Sequence, residues 1–441
     1  MSKDRRIYTS IDIGSTSVKV IIAEVKNSHI SILGVGDEVS RGIKRGVIVD
    51  MDQTVEAVRG AVRQAEEKAG IEVTDVIVGV PNHQLDIIQS HGVVEINDPD
   101  SEITEHDVEE VLRQLMVQAI PPEKQVMSVL AEEFVVDGFN DIQDPRGMIG
   151  VRLELYGFIL SLPKTVLQSI VRVVERAGFT VSHLVSQSLA LSSIALTDDE
   201  QRTGAVVIDL GGGQTTAAAL HDNKLKFATV DPEGGNNVTR DIATVLNIPV
   251  KTAEQLKRSH GFASSLLAEE DNNFTVQPIN NEKEVVLSEK YLAEIIEARF
   301  IQIIETIKPQ LDEIEALELP SSVVISGGGA MLPGVKELFE EFLDKSVKIY
   351  TPNYMGIRHS TFSTAIGLIN YISEREEIHA IIDRTVNANI TNRASRPEIN
   401  RNQTNKEINE EPVYDSPSKE NRDNDESFID KIKTFFNSFF E

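Results

Sequence analysis

The chain has 441 residues, enough for roughly two to four domains, and its 40% hydrophobic and 26% charged content is that of an ordinary globular protein. A formal net charge of −27, spread along the length, argues against a nucleic-acid binder, which needs a basic face to meet phosphates. Cysteine is absent, which excludes disulfides and thiolate metal sites, and no apolar run approaches the roughly 20 residues of a membrane-spanning helix. The N-terminus lacks the apolar core of a signal peptide, so the chain is expected in the cytosol.

Residues 6–35 read as three strands joined by tight polar turns: RIYTSIDIG, VKVIIAEVK and HISILGVG. GVGDEV, at 34–39, is an incomplete GxGxxG and reads as a strand-end turn. Val55, Val58, Ala61, Val62 and Ala65 recur at helical spacing in 52–70, with Gly70 placed to cap the C-terminus, and DVIVGVP then reads as a buried strand. Strands followed by a crossing helix and another strand indicate an α/β class. Residues 86–163 differ: a helix that Thr104 can cap precedes two alternating β-rich segments, as in an inserted subdomain. Helices follow at 164–178 and 185–196, then a second strand–turn–strand stretch from 203, mostly helical segments over 236–309, and a strand feeding a helix at 321–343. FSTAIGLINYISER reads as the last globular helix. From 387 to 426 the composition collapses into Asn, Arg, Glu, Ser and Pro, that of a disordered linker with a reach of about 35 Å.

The most informative pattern is internal. SIDIGSTSVKVIIAEV (10–25) and VIDLGGGQTTAAALHD (207–222) share one plan: apolar strand, Asp, apolar residue, Gly, small or polar turn, second strand. Turns at Gly14, Ser15 and Thr16 and at Gly211, Gly212, Gly213 and Gln214 present backbone N–H groups without bulk, which suits phosphate oxygens. Thr215 and Thr216 can add hydroxyl donors, and Lys19 can neutralise a terminal phosphate. Asp12 and Asp209 would repel phosphate alone and make sense with Mg²⁺ held through water between them. Two matched copies suggest two related domains clamping one polyphosphate. A third turn, Gly327, Gly328 and Gly329, follows a strand and leads to a helix, allowing a flat base or phosphate to approach the backbone. There is no GxxxxGK[ST], no metal-ligand spacing among the histidines, and no assignable Ser/His/Asp set.

In this order, the two hairpins, VSQSLALSSIAL, SGGGAMLPG and FSTAIGLI resemble the phosphate, connecting and adenosine elements of the actin/hexokinase/heat-shock-chaperone superfamily. Within it the chain resembles the FtsA family of actin-like bacterial cell-division proteins over all but the linker. The resemblance implies an α/β, actin-like two-lobed ATPase fold with an inserted α+β subdomain, then a disordered linker and a C-terminal amphipathic helix. One lobe would take 1–85, 164–200 and 366–386, with the insert at 86–163; the other would take 201–235 and 310–365, with a helical subdomain at 236–309. It also implies ATP and Mg²⁺ between the lobes. Glu254, Lys257 and Arg258 would hold ribose and adenine, although a solvated helix with charge pairing is as good a reading for Arg258. Gly327–Gly329 and Met331 would line the adenosine pocket. Kinases of the superfamily place an Asp where this chain offers Gln187 or Ser186, and a glutamine can orient water without deprotonating it. At most weak ATPase activity is therefore expected. The alternatives are a small-molecule kinase or a pilus-assembly relative. The family's partners would be a second copy in a protofilament, the FtsZ C-terminal tail, other division proteins and a phospholipid membrane, with no nucleic acid. Arg299 is a candidate for the FtsZ contact, a plain surface arginine being the alternative.

The last fifteen residues, SFIDKIKTFFNSFFE, hold five of the sixteen phenylalanines. At 100° per residue, Phe428, Ile429, Ile432, Phe435, Phe436, Phe439 and Phe440 fall in one arc of about 140°, with Lys431 and Lys433 on its flanks. Such a face suits the membrane interface, with lysines reaching lipid phosphates and burial contributing on the order of 10 kcal/mol gross. Together with the resemblance, which implies the division septum, this face places the expected location at the cytoplasmic side of the cell membrane.

Overall fold

The computed structural model describes residues 6–394, apart from 97–101, 118–119, 280–282 and 376. The segment 427–441, on which the membrane-helix expectation falls, lies outside the described residues, as does the linker from 395.

The first sheet begins as an antiparallel meander of β1 (Arg6–Ile13), β2 (Ser17–Lys26) and β3 (His29–Val39). A small hairpin, β4 (Ile43–Lys44) and β5 (Val47–Ile48), leads into α1 (Met51–Ala69). Asp50 accepts the Gln53 N–H at the start of α1, and Gly70 at φ 66° closes its end on the Glu66 carbonyl. Gly34 and Gly36 are not at a turn, as the sequence suggested; they are buried inside β3 beneath α1. A Cβ at Gly36 would lie 1.8 Å from the Ala61 carbonyl oxygen and one at Gly34 2.1 Å from that of Ala65. The glycines are there so that a helix backbone can sit on the sheet.

β6 (Asp75–Val80) pairs parallel with β1 and leads into the β-rich insertion. There β7 (Asp86–Glu95), α2 (Glu105–Val117), β8 (Lys124–Val136), β9 (Phe139–Ile142) and β10 (Arg152–Pro163) form an antiparallel sheet in the order β7-β10-β8-β9. α2 packs on β7 through Val108, Val111, Leu112 and Leu115. Thr104 stands just before α2, but its hydroxyl and N–H both go to the Asp107 carboxylate. α3 (Lys164–Ala177) and β11 (Thr180–Ser186) return the chain to the first sheet, whose order is β11-β6-β1-β2-β3. α4 (Gln187–Ala195) and the short α5 (Asp198–Thr203) then lead away.

The second half repeats this plan. β12 (Ala205–Leu210), β13 (Thr215–His221) and β14 (Lys224–Asp231) form a meander, followed by α6 (Gly235–Val245) and α7 (Val250–His260). A hairpin of β15 (Asn273–Val276) and β16 (Val285–Ser288) precedes the long α8 (Glu289–Glu313). β17 (Val323–Ser326) joins β12 in parallel, and after α9 (Val335–Leu343), β18 (Val347–Ile349) completes the order β14-β13-β12-β17-β18. The two five-stranded sheets therefore share one topology, a meander with two parallel strands added beside its first strand. The internal repeat in the sequence is a repeat of fold.

α10 (Ser363–Ser373) crosses α4 at Gly367, where a Cβ would meet the Ala190 carbonyl oxygen at 2.0 Å. α10 is not the last helix. α11 (Glu377–Ala394) follows, burying Ile378, Ile381, Ile382 and Val386 against β8 and α2. Arg375 grips Asp383 with two bonds of 2.8 and 2.7 Å, and Asn387 donates to the Ser182 carbonyl. The folded backbone thus continues past residue 387, where the composition had suggested a linker.

Candidate nucleotide-binding cleft

The two meanders bring their turns together. At the first, the Gly14 N–H closes on the Ser17 carbonyl at 3.2 Å. A Cβ would stand 2.8 Å from Ser17 O at Gly14 and 2.7 Å from Gln214 O at Gly211, so the matched glycines serve the same turn geometry. The turns also touch each other: a Cβ at Gly212 would lie 2.0 Å from Thr16 Oγ1, and one at Gly213 2.6 Å from Ser15 Cβ. From these turns opens a cleft of about 840 Å³. Its lining includes Asp12, Gly14, Ser15, Thr16, Lys19, Gln187, Asp209, Gly211, Gly212, Gly213, Gln214, Glu254, Lys257, Arg258, Gly327, Gly328, Gly329 and Met331.

At its floor, Asp12 is buried opposite Lys19 in the β1–β2 register, and Gln187 Nε2 donates to its Oδ1 at 2.7 Å. Burial pushes the Asp12 carboxyl above its usual range, against the pull of Lys19 and Gln187. Asp209, at the matched place on β12, is pushed to about 7 by burial and by the neighbouring Asp12. A cation between these two carboxyls would offset the repulsion that raises Asp209. Among the described residues no group of three or more His, Cys, Asp or Glu could hold one alone, so most ligands would be phosphate and water, which suits Mg²⁺.

One wall is made by α6 and α7. Lys257 is buried, and its Nζ donates to the Gly235 carbonyl at 2.8 Å and to Thr239 Oγ1 at 2.7 Å while pairing with Glu254. Burial pulls the Lys257 ammonium down; it also pushes Glu254 up, but the Lys257 and Thr239 contacts outweigh that and hold the carboxylate low. Arg258 pairs with Glu254 at 2.7 Å and leaves 73% of its side chain exposed at the mouth. The opposite edge is the third glycine turn. Gly327 has φ 93°, and a Cβ there would lie 2.3 Å from Asp209 Oδ1. Ser360 reaches Met331 Sδ at 2.9 Å.

Several expectations need correction. Thr215 is fully buried and donates to the Glu233 carbonyl at 2.9 Å; neither it nor Thr216 lines the cleft. Ser186 is buried, bonded to Asn82 at 2.7 Å and caps α4, so only Gln187 of that pair faces the cleft. Arg299 is no surface cation. It is 6% exposed, with Asp241 at 2.6 and 2.9 Å and Glu233 at 2.6 Å, so it locks α8 to α6 and to the segment before α6.

Sequence reasoning missed Gly234–Asn236. The N–H groups of Gly235 and Asn236 donate to the Gly211 and Gly212 carbonyls at 3.0 and 2.7 Å, so the start of α6 braces the second turn, and both residues line the cleft. The signal was the GG pair after β14, which fits a close backbone approach. Asp37 and the segment His359–Phe362 also line the cleft and were missed.

Residues 206–367 match the family model described as Cell division protein FtsA, and residues 82–161 match that of the SHS2 domain inserted in FTSA. The Enterococcus hirae Cell division protein FtsA is 44% identical over 440 residues, covering 99% of each chain. Among solved structures, one from the PilM–PilN type IV pilus biogenesis complex aligns with a TM-score of 0.55 at 15% identity, over 83% of this chain and 98% of that one. MreB5 of Spiroplasma citri bound to ADP aligns at 0.51 and 14%, over 88% and 99%. These structural likenesses speak for the fold, which is actin-like. On its sequence matches, the chain belongs to the FtsA family of cell-division proteins.

Proposed function

We propose that this chain binds ATP with Mg²⁺ in the cleft between two related lobes, assembles with further copies, and ties the FtsZ ring to the cytoplasmic face of the membrane at the septum. The observation that carries the nucleotide reading is the pairing of two matched glycine turns over two opposed carboxylates. In it, the turns at Gly14–Thr16 and Gly211–Gln214 offer N–H groups to the phosphates, with Lys19 beside them. Asp12 and Asp209 hold hydrated Mg²⁺, which would screen the phosphate charge. Glu254, Lys257 and Arg258 face the nucleoside from α7, and Gly327–Gly329 with Met331 close on it from the other side.

Gln187 presents an amide, not a base, so hydrolysis is slow and ATP acts mainly as a conformational and assembly ligand. The same residue disfavours a small-molecule kinase, which needs a carboxylate there. Exposed Phe139 and Ile149 on the inserted subdomain, 73% and 65% accessible, suit contact with another copy. Family membership supports the FtsZ and divisome partners, with a surface of the helical subdomain other than Arg299 receiving the FtsZ tail. The apolar arc of the last fifteen residues supports the membrane anchor.

Vesicle co-sedimentation of the full chain and a chain lacking residues 428–441, each with ATP or ADP, tests this reading. The full chain is expected to pellet with vesicles and the truncated chain to remain soluble. ATP, more than ADP, is expected to promote assembly in both. Equal pelleting by both chains together with no ATP-dependent assembly would overturn it.

A further inference from the structure

A second cavity, of about 450 Å³, opens beside the phosphate turns and shares Ser15, Gly213 and Asn236 with the cleft. No residue of its nucleoside end, from Glu254–Arg258 or Gly327–Met331, lines it. Its side chains are of another kind: Lys44 and Arg45 from the β4–β5 hairpin, Arg240 from α6, and the amides of Asn236 and Asn237. All three cations are exposed, and their side chains make no hydrogen bond or ion pair among the described residues. In a chain of net charge −27, three cations free of hydrogen bonds and ion pairs stand around one concavity, Arg240 acting only through its charge on the neighbouring Asp241.

The reason lies next door. The nearest acids to Arg240 on its own helix and the segment before it, Asp241 and Glu233, are both committed to Arg299. Asp50, after the hairpin, is committed to the start of α1. Ser15 accepts the Gly46 N–H at 3.0 Å, which leaves its own hydroxyl proton to donate. Arg45 (φ 51°) and Gly46 (φ 73°) hold the hairpin turn against Gly213.

We propose that this cavity is a second oxyanion site, which takes orthophosphate independently of the nucleotide. Lys44 and Arg45 belong to the first half of the chain and Arg240 to the second, so a bound dianion is bonded to both and draws them together. Without it the three cations repel across the gap. The phosphate can be free in solution or arise as the terminal group of a nucleotide, and the two are separable by experiment.

Equilibrium dialysis of labelled orthophosphate against the full chain, with and without saturating ADP, tests this. The variant is Lys44→Gln/Arg240→Gln, whose sites lie outside the cleft lining. The wild type is expected to bind phosphate in both conditions, and the variant to bind about tenfold more weakly or worse. Phosphate, and sulfate at equal ionic strength, should slow release of a fluorescent ADP analogue from the wild type only, while chloride should not. Equal phosphate binding by both proteins, no binding by the wild type, or full displacement by ADP would each overturn the proposal. Loss of nucleotide signal in both proteins would instead overturn the nucleotide reading, and dialysis would still decide the phosphate site. If the double variant melts early, Arg240→Gln alone is read in the same way.

Discussion

Gln187 Nε2 and Asp12 Oδ1 are joined at 2.7 Å, so the first residue of α4 is fixed by the carboxylate that closes β1. With one of its two amide N–H groups given to Asp12, Gln187 keeps the other and its carbonyl oxygen to orient a water.

That division of labour predicts a separation of effects. On the proposed nucleotide reading, Gln187→Ala should lower ATP hydrolysis about tenfold in single turnover, while ATP affinity stays within about threefold. Asp12→Asn should instead weaken binding of the Mg²⁺ complex by about 10- to 100-fold, with metal-free nucleotide less affected. Titration of a fluorescent ATP analogue with and without Mg²⁺ distinguishes the two.

Asp209 sets a pH dependence. Its folded-state value of about 7 is raised above the ordinary 3.8 by burial and Asp12, against Lys19. A raised carboxyl contributes stability fully present below the unfolded value and lost as pH rises through about 7. The nucleotide-free protein should therefore lose this contribution toward pH 8, and Asp209→Asn should retain it. If Asp209 holds Mg²⁺ as proposed, Mg²⁺–ATP binds the ionised form, so affinity should improve about tenfold from pH 6 to pH 8 and flatten in Asp209→Asn. Thermal melts and binding titrations across that range check both signs.

Gly36→Ala should destabilise the first half by about 3 kcal/mol, because α1 must lift off β3 before a Cβ fits. Denaturant unfolding measures it. An ordinary turn position, the reading the sequence invited, would tolerate the change.

Arg299→Ala should cost about 4 kcal/mol, since it leaves Asp241 and Glu233 uncompensated in a half-buried place. Binding of an acidic peptide from FtsZ, the proposed partner, should fall only with the folded fraction, measured by calorimetry on the soluble protein. Selective loss of peptide binding at unchanged stability would return Arg299 to the interface.

What the sequence revealed, and what it hid, follows from where information sits along the chain. The matched turns were legible because Asp12–Thr16 and Asp209–Gln214 each carry a whole hairpin within a few residues. Gly34 and Gly36 were misread because a glycine inside a strand and one at its end look alike until α1 is placed over them. Arg299 was misread for a like reason: its acids lie 58 and 66 residues away, on other elements. The hydroxyl of Thr215 looked free because its acceptor, Glu233 O, belongs to a segment whose path depends on α6. α11 was obscured by polar composition, although Ile378, Ile381, Ile382 and Val386 do recur at helical spacing.

The crossing of α4 and α10 carries a mechanical consequence. Helices usually meet through interlocking rows of side chains, and to slide past each other they must climb out of one set of grooves into the next. At Gly367 there is no side chain to interlock, and backbone lies directly on Ala190. That contact is also riveted: Ser193 Oγ donates to the Gly367 carbonyl at 3.2 Å and Asn370 Nδ2 to the Ser193 carbonyl at 3.0 Å, so the two helices are tied at the point where their backbones touch.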